Sequence, residues 1–306
     1  MTADKKIFAE RIAAEISPRP LPLVRAVRWM LLALLFLSAC DTIPDQTSVP
    51  DPDPVADPPP RPPLIAIYGD SRTGHDVHRL IVAAMERLKP AAVFHSGDLV
   101  ANGLKPGQWN TFNAITARLR QSSEFYPALG NHELDSPLYF ANFILPGNER
   151  WYWVEIDGIH FVVLDTGSDL GAGSEQYRWL EELLSGIAPA DFVVPVFHHP
   201  PLSAGYHLPD EKGLLRTIVP LFEKYDVDLV FSGHDHTYER LFYNGIQYIV
   251  TGGGGAPLHS QARTSPYLQL YLEAYHFCTL RRQGGSLKIE VFGTDSRLLD
   301  SFRVER

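Results

Sequence analysis

Apolar residues arrive in short runs, and many of the runs lead into a glycine, an acid or a histidine. Leu64 to Tyr68 is continuously apolar, as expected of a strand buried on both faces. From His78 to Leu88 the apolar positions fall at Leu80, Ile81, Ala84, Met85 and Leu88, a helical spacing. Ala91 to His95 reads as a second buried strand, Trp109 to Leu119 as a second helix and Phe125 to Leu129 as a third strand. Trp151 to Ile156 and Ile159 to Leu164 flank Asp157-Gly158, a hairpin turn signal. Gln176 to Leu184 and Leu214 to Tyr225 have helical patterns, and Phe192 to Phe197 and Val227 to Phe231 read as strands. Phe242 to Val250 folds back at Asn244-Gly245. The tail pairs Tyr275 to Leu280 with Leu287 to Phe292 around Gly284-Gly285. Strands alternating with helices and closing on an antiparallel tail predict a mixed α/β domain over residues 64–306, with no internal repeat. In such sheets ligands collect at the carboxyl ends of the strands.

The chemistry-bearing residues stand at those ends. Gly69-Asp70, Gly97-Asp98, Gly130-Asn131-His132-Glu133, His198-His199-Pro200 and Gly233-His234-Asp235-His236 each follow an apolar run, and Gly252 to Gly255 follows the run that ends at Val250. Carboxylate and amide oxygens combined with imidazoles suit a pair of di- or trivalent first-row metals, without selecting among iron, zinc and manganese. Singly, these motifs are ordinary: Gly-Asp and Gly-Asn are common turns, and paired histidines can be packed and satisfied by backbone. Their ordered recurrence after strands is what points to one site. His95 reads as a strand residue, and His199 as a support for a ligand rather than a ligand. Tyr139, Trp151, Trp153 and Tyr206 fit a pocket lining or a core equally well.

These five motifs, in this order over residues 64–260, resemble the calcineurin-like metallophosphoesterases, and within them the purple acid phosphatases. The resemblance implies a four-layer α/β/β/α sandwich with two mixed sheets. It also implies a centre of two metal ions that activates hydroxide to hydrolyse a small phosphate ester. Asp70 and His236 would bind the first metal and Asp98 would bridge both. Asn131, His198 and His234 would bind the second. His132 would hydrogen-bond the phosphoryl group or protonate the leaving oxygen, with Glu133 to orient it. Monoesterase, cyclic-nucleotide or other diesterase, and a metal-binding protein with decayed catalysis are the functions to separate. His132, dispensable for metal binding alone, argues against the last.

Two positions depart from the pattern. The family places a histidine two residues after its first aspartate, where this chain has Arg72. Purple acid phosphatases place a tyrosine three residues after the bridging aspartate, where this chain has Ala101. The first metal thus loses a ligand that a guanidinium, with no lone pair, cannot replace. Water could fill the place, His75 could swing in, or the first site could be weak. Arg72 suits a substrate phosphate, its alternative being a surface pair with Asp76. His207 is a further substrate-contact candidate. Without the tyrosine no charge-transfer colour is expected. The Thr251 to Pro257 glycine run lacks the Lys-Ser/Thr of a nucleotide-phosphate loop and is expected to pass close beneath the metal loops.

Composition changes the picture at the amino end. The 306 residues carry a net charge of −9, but the first 40 hold six Lys/Arg against three acids, leaving −12 on the rest. So acidic a body is a poor partner for a nucleic-acid backbone, and no nucleic-acid binding is expected. Arg25 and Arg28 lead into an apolar stretch from Trp29 to Ala39, too short to span a bilayer and ending in Leu37-Ser38-Ala39-Cys40. This resembles the lipobox of bacterial lipoproteins and implies an exported, envelope-located protein held to a membrane by lipid on Cys40. A plain signal peptide is the alternative. Translation starting near Val24 would give a compact basic lead. With Cys40 so used, no disulfide to Cys278 is expected. Residues 41–63 contain nine prolines and almost no large apolar side chains, the composition of an extended tether.

Overall fold

The computed structural model describes residues 62–306. The leader with Cys40, and residues 41–61 of the tether, lie outside the described residues. Among the described residues no helix is long and apolar enough to cross a membrane.

Two mixed sheets face each other. The first contains β1 (Ile65–Tyr68), β2 (Ala92–His95), β3 (Glu124–Pro127), β11 (His276–Gln283), β12 (Ser286–Gly293) and β13 (Leu298–Glu305), in the order β13-β12-β11-β1-β2-β3. The second contains β4 (Tyr152–Ile156), β5 (Ile159–Val163), β6 (Phe192–Val196), β7 (Leu229–Ser232), β8 (Tyr238–Tyr243), β9 (Ile246–Thr251) and β10 (Leu268–Leu272), in the order β10-β8-β9-β7-β6-β5-β4. β1, β2 and β3 run parallel, as do β5, β6, β7 and β9; the remaining pairings are antiparallel. Helices α1 (His75–Leu88), α2 (Pro106–Ser122), α3 (Pro137–Asn142), α4 (Glu175–Gly186) and α5 (Val219–Lys224) complete the domain.

The side-chain period of a strand explains the layering. Along β1, Ile65 and Ile67 enter the core between the sheets, while Ala66 and Tyr68 pack with Ile81 and Met85 of α1. Along β5, Phe161 and Val163 face inward, and Val162 packs outward with Leu180 of α4 and Phe222 of α5. Three apolar layers therefore separate four structural ones, and strands buried on both faces read as unbroken apolar runs. This is the expected α/β/β/α sandwich.

Local expectations hold where turn chemistry is strong. Asp157-Gly158 and Asn244-Gly245 both take positive φ at both residues, as a two-residue hairpin requires. The helix expected over Leu214 to Tyr225 is shorter. Residues 214–218 form turns and α5 begins only at Val219, with Pro220 in its first turn, where a missing N–H costs nothing.

α1 also buries an imidazole. His78 Nε2 lies 3.1 Å from the Tyr68 hydroxyl, and its ring stacks on Phe112. Burial, with the positive charge of His75 and Arg79, lowers its pKa from 6.5 to about 3. Below pH 6.5 the unfolded chain binds a proton that the folded chain refuses, so this residue costs stability as pH falls from 6.5 toward 3. The stability of the native protein relative to His78→Gln should fall by up to about 1.4 kcal/mol per pH unit in that window. Urea unfolding of both proteins at pH 7 and pH 5 measures it; parallel curves would refute it.

Candidate metal centre

Six parallel strands deliver the site. β1, β2 and β3 end at Asp70, Asp98 and Asn131, while β6, β7 and β9 end at His198, His234 and the glycine run. Asp70, Asp98 and His234 all hold left-handed backbone, with φ of 57°, 58° and 71°. Such conformations cost about 1–3 kcal/mol each outside glycine and persist where the surroundings over-determine them. Glycines make the crowding possible. A Cβ on Gly130 would overlap Asp98 Oδ1, and one on Gly252 would overlap the Asp235 carbonyl and lie 2.9 Å from Asp70 Oδ2. The glycine run thus passes directly under the metal-type loops, as its sequence suggested.

Glu133 has a different task from the expected one. Its carboxylate is fully buried and accepts backbone N–H bonds from Asp98 (2.9 Å), Gly130 (2.7 Å), Leu99 (2.9 Å) and Val100 (3.3 Å). It clamps the Asp98 loop to the Asn131 loop and does not orient His132. Burial and the Asp98 charge push it up to about 8, against the pull of those N–H groups. His132 is oriented by a backbone carbonyl instead, its Nδ1 lying 2.8 Å from the oxygen of Ala101. A carbonyl only accepts, so Nδ1 carries the proton and Nε2 faces the site, 3.8 Å from Asp98 Oδ2.

The same logic fixes His198, whose Nδ1 lies 2.9 Å from the Ser96 carbonyl. Its Nε2 is therefore bare. Yet it sits 3.0 Å from Asn131 Oδ1, 3.5 Å from Asp98 Oδ1 and 3.2 Å from His234 Nδ1. Lone pairs converge there with no proton to share among Asp98, Asn131 and His198, and a cation satisfies such a set. Burial lowers His198 to about 3, and burial with the charge of His198 lowers His234 to about 2. Both are neutral at pH 7, as ligand imidazoles must be. The donors of the expected second site fit a metal ion.

The expected first site is arranged differently. Asp70 is fully buried; its Oδ2 accepts the His234 N–H at 3.0 Å and its Oδ1 has no hydrogen-bond partner. Burial and the Asp98 charge raise its pKa well above the carboxylate range. Burial also raises Asp98, opposed by His132 and Arg72. His236 Nδ1 donates to the Pro257 carbonyl at 2.7 Å, leaving Nε2 as an acceptor 3.7 Å from Asp70 Oδ1. Arg72 turns inward between them: Nη2 is 3.2 Å from His236 Nε2, and Nε is 3.4 Å from Asp98 Oδ2. It does not pair with Asp76, which binds Arg79.

His207 lies at the same rim. Its ring stacks on His234 with centroids 3.8 Å apart, and its Nδ1 is 3.1 Å from Asp235 Oδ1. Burial alone would raise Asp235, but hydrogen bonds from His207, His259 and Ser203 hold it below the usual carboxylate range. His259, which no motif singles out, stacks on His236 at 4.1 Å. His199 supports the site through Thr166, whose hydroxyl lies 2.8 Å from its Nδ1. His95 closes β2 and pairs with Ser71. Of the aromatic candidates, Tyr139 belongs to the core, while the exposed Tyr206 lies beside His207 and His259.

The sequence and the architecture have known relatives. A model of the calcineurin-like phosphoesterases matches residues 64–238. "Probable purple acid phosphatase 20" of Arabidopsis thaliana is 32% identical over 187 residues, covering 52% of this chain and 44% of the plant protein. A "nucleotide pyrophosphatase/phosphodiesterase" of Hordeum vulgare is 27% identical over 271 residues, covering 70% and 72%. The purple acid phosphatase PPD1 from yellow lupin (Lupinus luteus) seeds superposes with a TM-score of 0.73 at 21% identity, over 80% of this chain and 54% of the lupin chain. This chain thus spans about half the length of the purple acid phosphatases it matches. With the motifs at the strand ends, the two-sheet sandwich and the family match over more than half its length, the chain belongs to the calcineurin-like phosphoesterase family.

Proposed function

We propose that this chain is a metal-dependent hydrolase of small phosphate esters, working at the ends of β1–β3, β6, β7 and β9. The carrying observation is the bare His198 Nε2 facing Asn131 Oδ1 and Asp98 Oδ1, an acceptor set that a cation completes. A bound iron, zinc or manganese ion would supply charge to a phosphoryl oxygen and acidify water at neutral pH.

The chain's own groups supply the rest. His132 keeps one proton on Nδ1 against Ala101, and its partly exposed Nε2 can deliver another to the leaving oxygen. His207, fixed at Nδ1 by Asp235, offers Nε2 to the phosphoryl group beside His234. Beside Asn131 a cavity of about 240 Å³, bordered by Asp135, Arg150 and Asp165, gives room to a small leaving group. The same reading places the catalytic domain outside the cytoplasm on a lipid anchor at Cys40. It is supported by the apolar stretch before that cysteine and the proline-rich segment after it. A lipid-sized mass on the amino-terminal peptide checks it.

The activity is tested by stripping the protein with a chelator and assaying 4-nitrophenyl phosphate and bis(4-nitrophenyl) phosphate, before and after adding manganese, zinc or iron. Turnover should vanish on stripping and return with metal, and the ratio of the two substrates separates monoesterase from diesterase. Turnover indifferent to metal overturns the reading. Full metal content with neither ester cleaved favours a binding protein instead.

A further inference from the structure

We infer that the Arg72 guanidinium stands where the family's first metal ion would sit, so that this chain holds one metal ion, among Asp98, Asn131, His198 and His234. The inference rests on the proposed metal-dependent site and concerns its stoichiometry.

Three observations carry it. The His236 lone pair is already engaged: with Nδ1 donating to Pro257, Nε2 accepts from Arg72 Nη2 at 3.2 Å. Asp98 Oδ2, the oxygen on the side away from His198, faces Arg72 Nε at 3.4 Å. Finally, the ligand atoms of Asp70, Asp98 and His198 crowd within 4.8 Å of one another, as do those of His198, His199 and His234; among the described residues His236 joins no such group. Two of the three such groups share His198, the third being His207, Asp235 and His259, and His236, which faces the guanidinium, stands outside all three. A permanently charged guanidinium has no lone pair to give a metal and repels any cation brought beside it. It does what the first ion would do electrostatically, setting positive charge against two buried carboxylates. Its remaining N–H groups are partly open to solvent, and so to a phosphoryl oxygen. His75, the candidate replacement ligand, instead borders a surface hollow with Thr73, Asp76 and Arg79.

The full chain is loaded with manganese(II), freed of loose metal by gel filtration, and examined by elemental analysis and electron paramagnetic resonance. The native protein should hold one equivalent with the six-line signal of an isolated ion. Arg72→His, which restores the family's histidine, should hold two equivalents with an exchange-coupled signal. His236→Ala should keep the single ion, and His198→Ala should lose it. Two coupled equivalents in the native protein, or loss of the ion in His236→Ala, would overturn the inference and leave metal-dependent hydrolysis intact. No bound metal in the native protein would overturn both.

Discussion

Asp98→Ala should lose tightly held metal and slow phosphoester hydrolysis by about 10³-fold or more, the loss expected when a site built around a cation no longer holds it. Asp98 faces Arg72, His132 and His198 at once. One carboxylate oxygen faces His198 and accepts the His132 backbone N–H at 2.9 Å, and the other faces Arg72 and His132 Nε2. Removing it leaves the acceptors of Asn131 and His198 without their anionic partner and the inward-turned guanidinium without its carboxylate. Asp98→Asn separates shape from charge, since the amide oxygen can still accept from His132. It should recover folding but neither metal affinity nor rate. Elemental analysis and steady-state kinetics on both variants decide the matter. Unchanged turnover in Asp98→Ala would remove the foundation of the proposed mechanism.

His132→Ala should behave differently, keeping its metal while kcat falls by about 10²–10⁴-fold, the usual worth of a positioned proton donor. The imidazole reaches the site through Nε2, 3.8 Å from Asp98 Oδ2, but it is the His132 backbone N–H that bonds Asp98, and truncating the ring leaves that bond in place. The deficit should shrink for esters with acidic leaving groups, which need no proton. Comparing 4-nitrophenyl phosphate with phenyl phosphate reads this dependence. An equal loss on both substrates would assign His132 to binding the phosphoryl group.

The metal-type residues were legible because their chemistry is rare at strand ends and because five such ends recur in order. The mixed α/β class followed from apolar runs long enough for strands and too unbroken for a surface, while the four-layer sandwich came from the family resemblance. What escaped depended on distance through space. β10 and β13 are edge strands with mixed polarity, and their alternation is too weak to announce them. Glu133 follows His132 directly and looks like its partner. That it instead clamps amides some 35 residues earlier depends on how β2 and β3 lie side by side. His259 stands in no motif, and only the path of the segment after the glycine run brings it onto His236. The sequence marked Arg72 as a departure but could not say whether it faced solvent or the site.

The donors facing His198 Nε2 come from both halves of the sandwich, Asp98 and Asn131 from the first sheet and His198 and His234 from the second. An ion bound among them would act as a clasp across the seam. Binding there would stabilise the form in which the two halves are together, and metal shortage would be felt as a loosened sandwich.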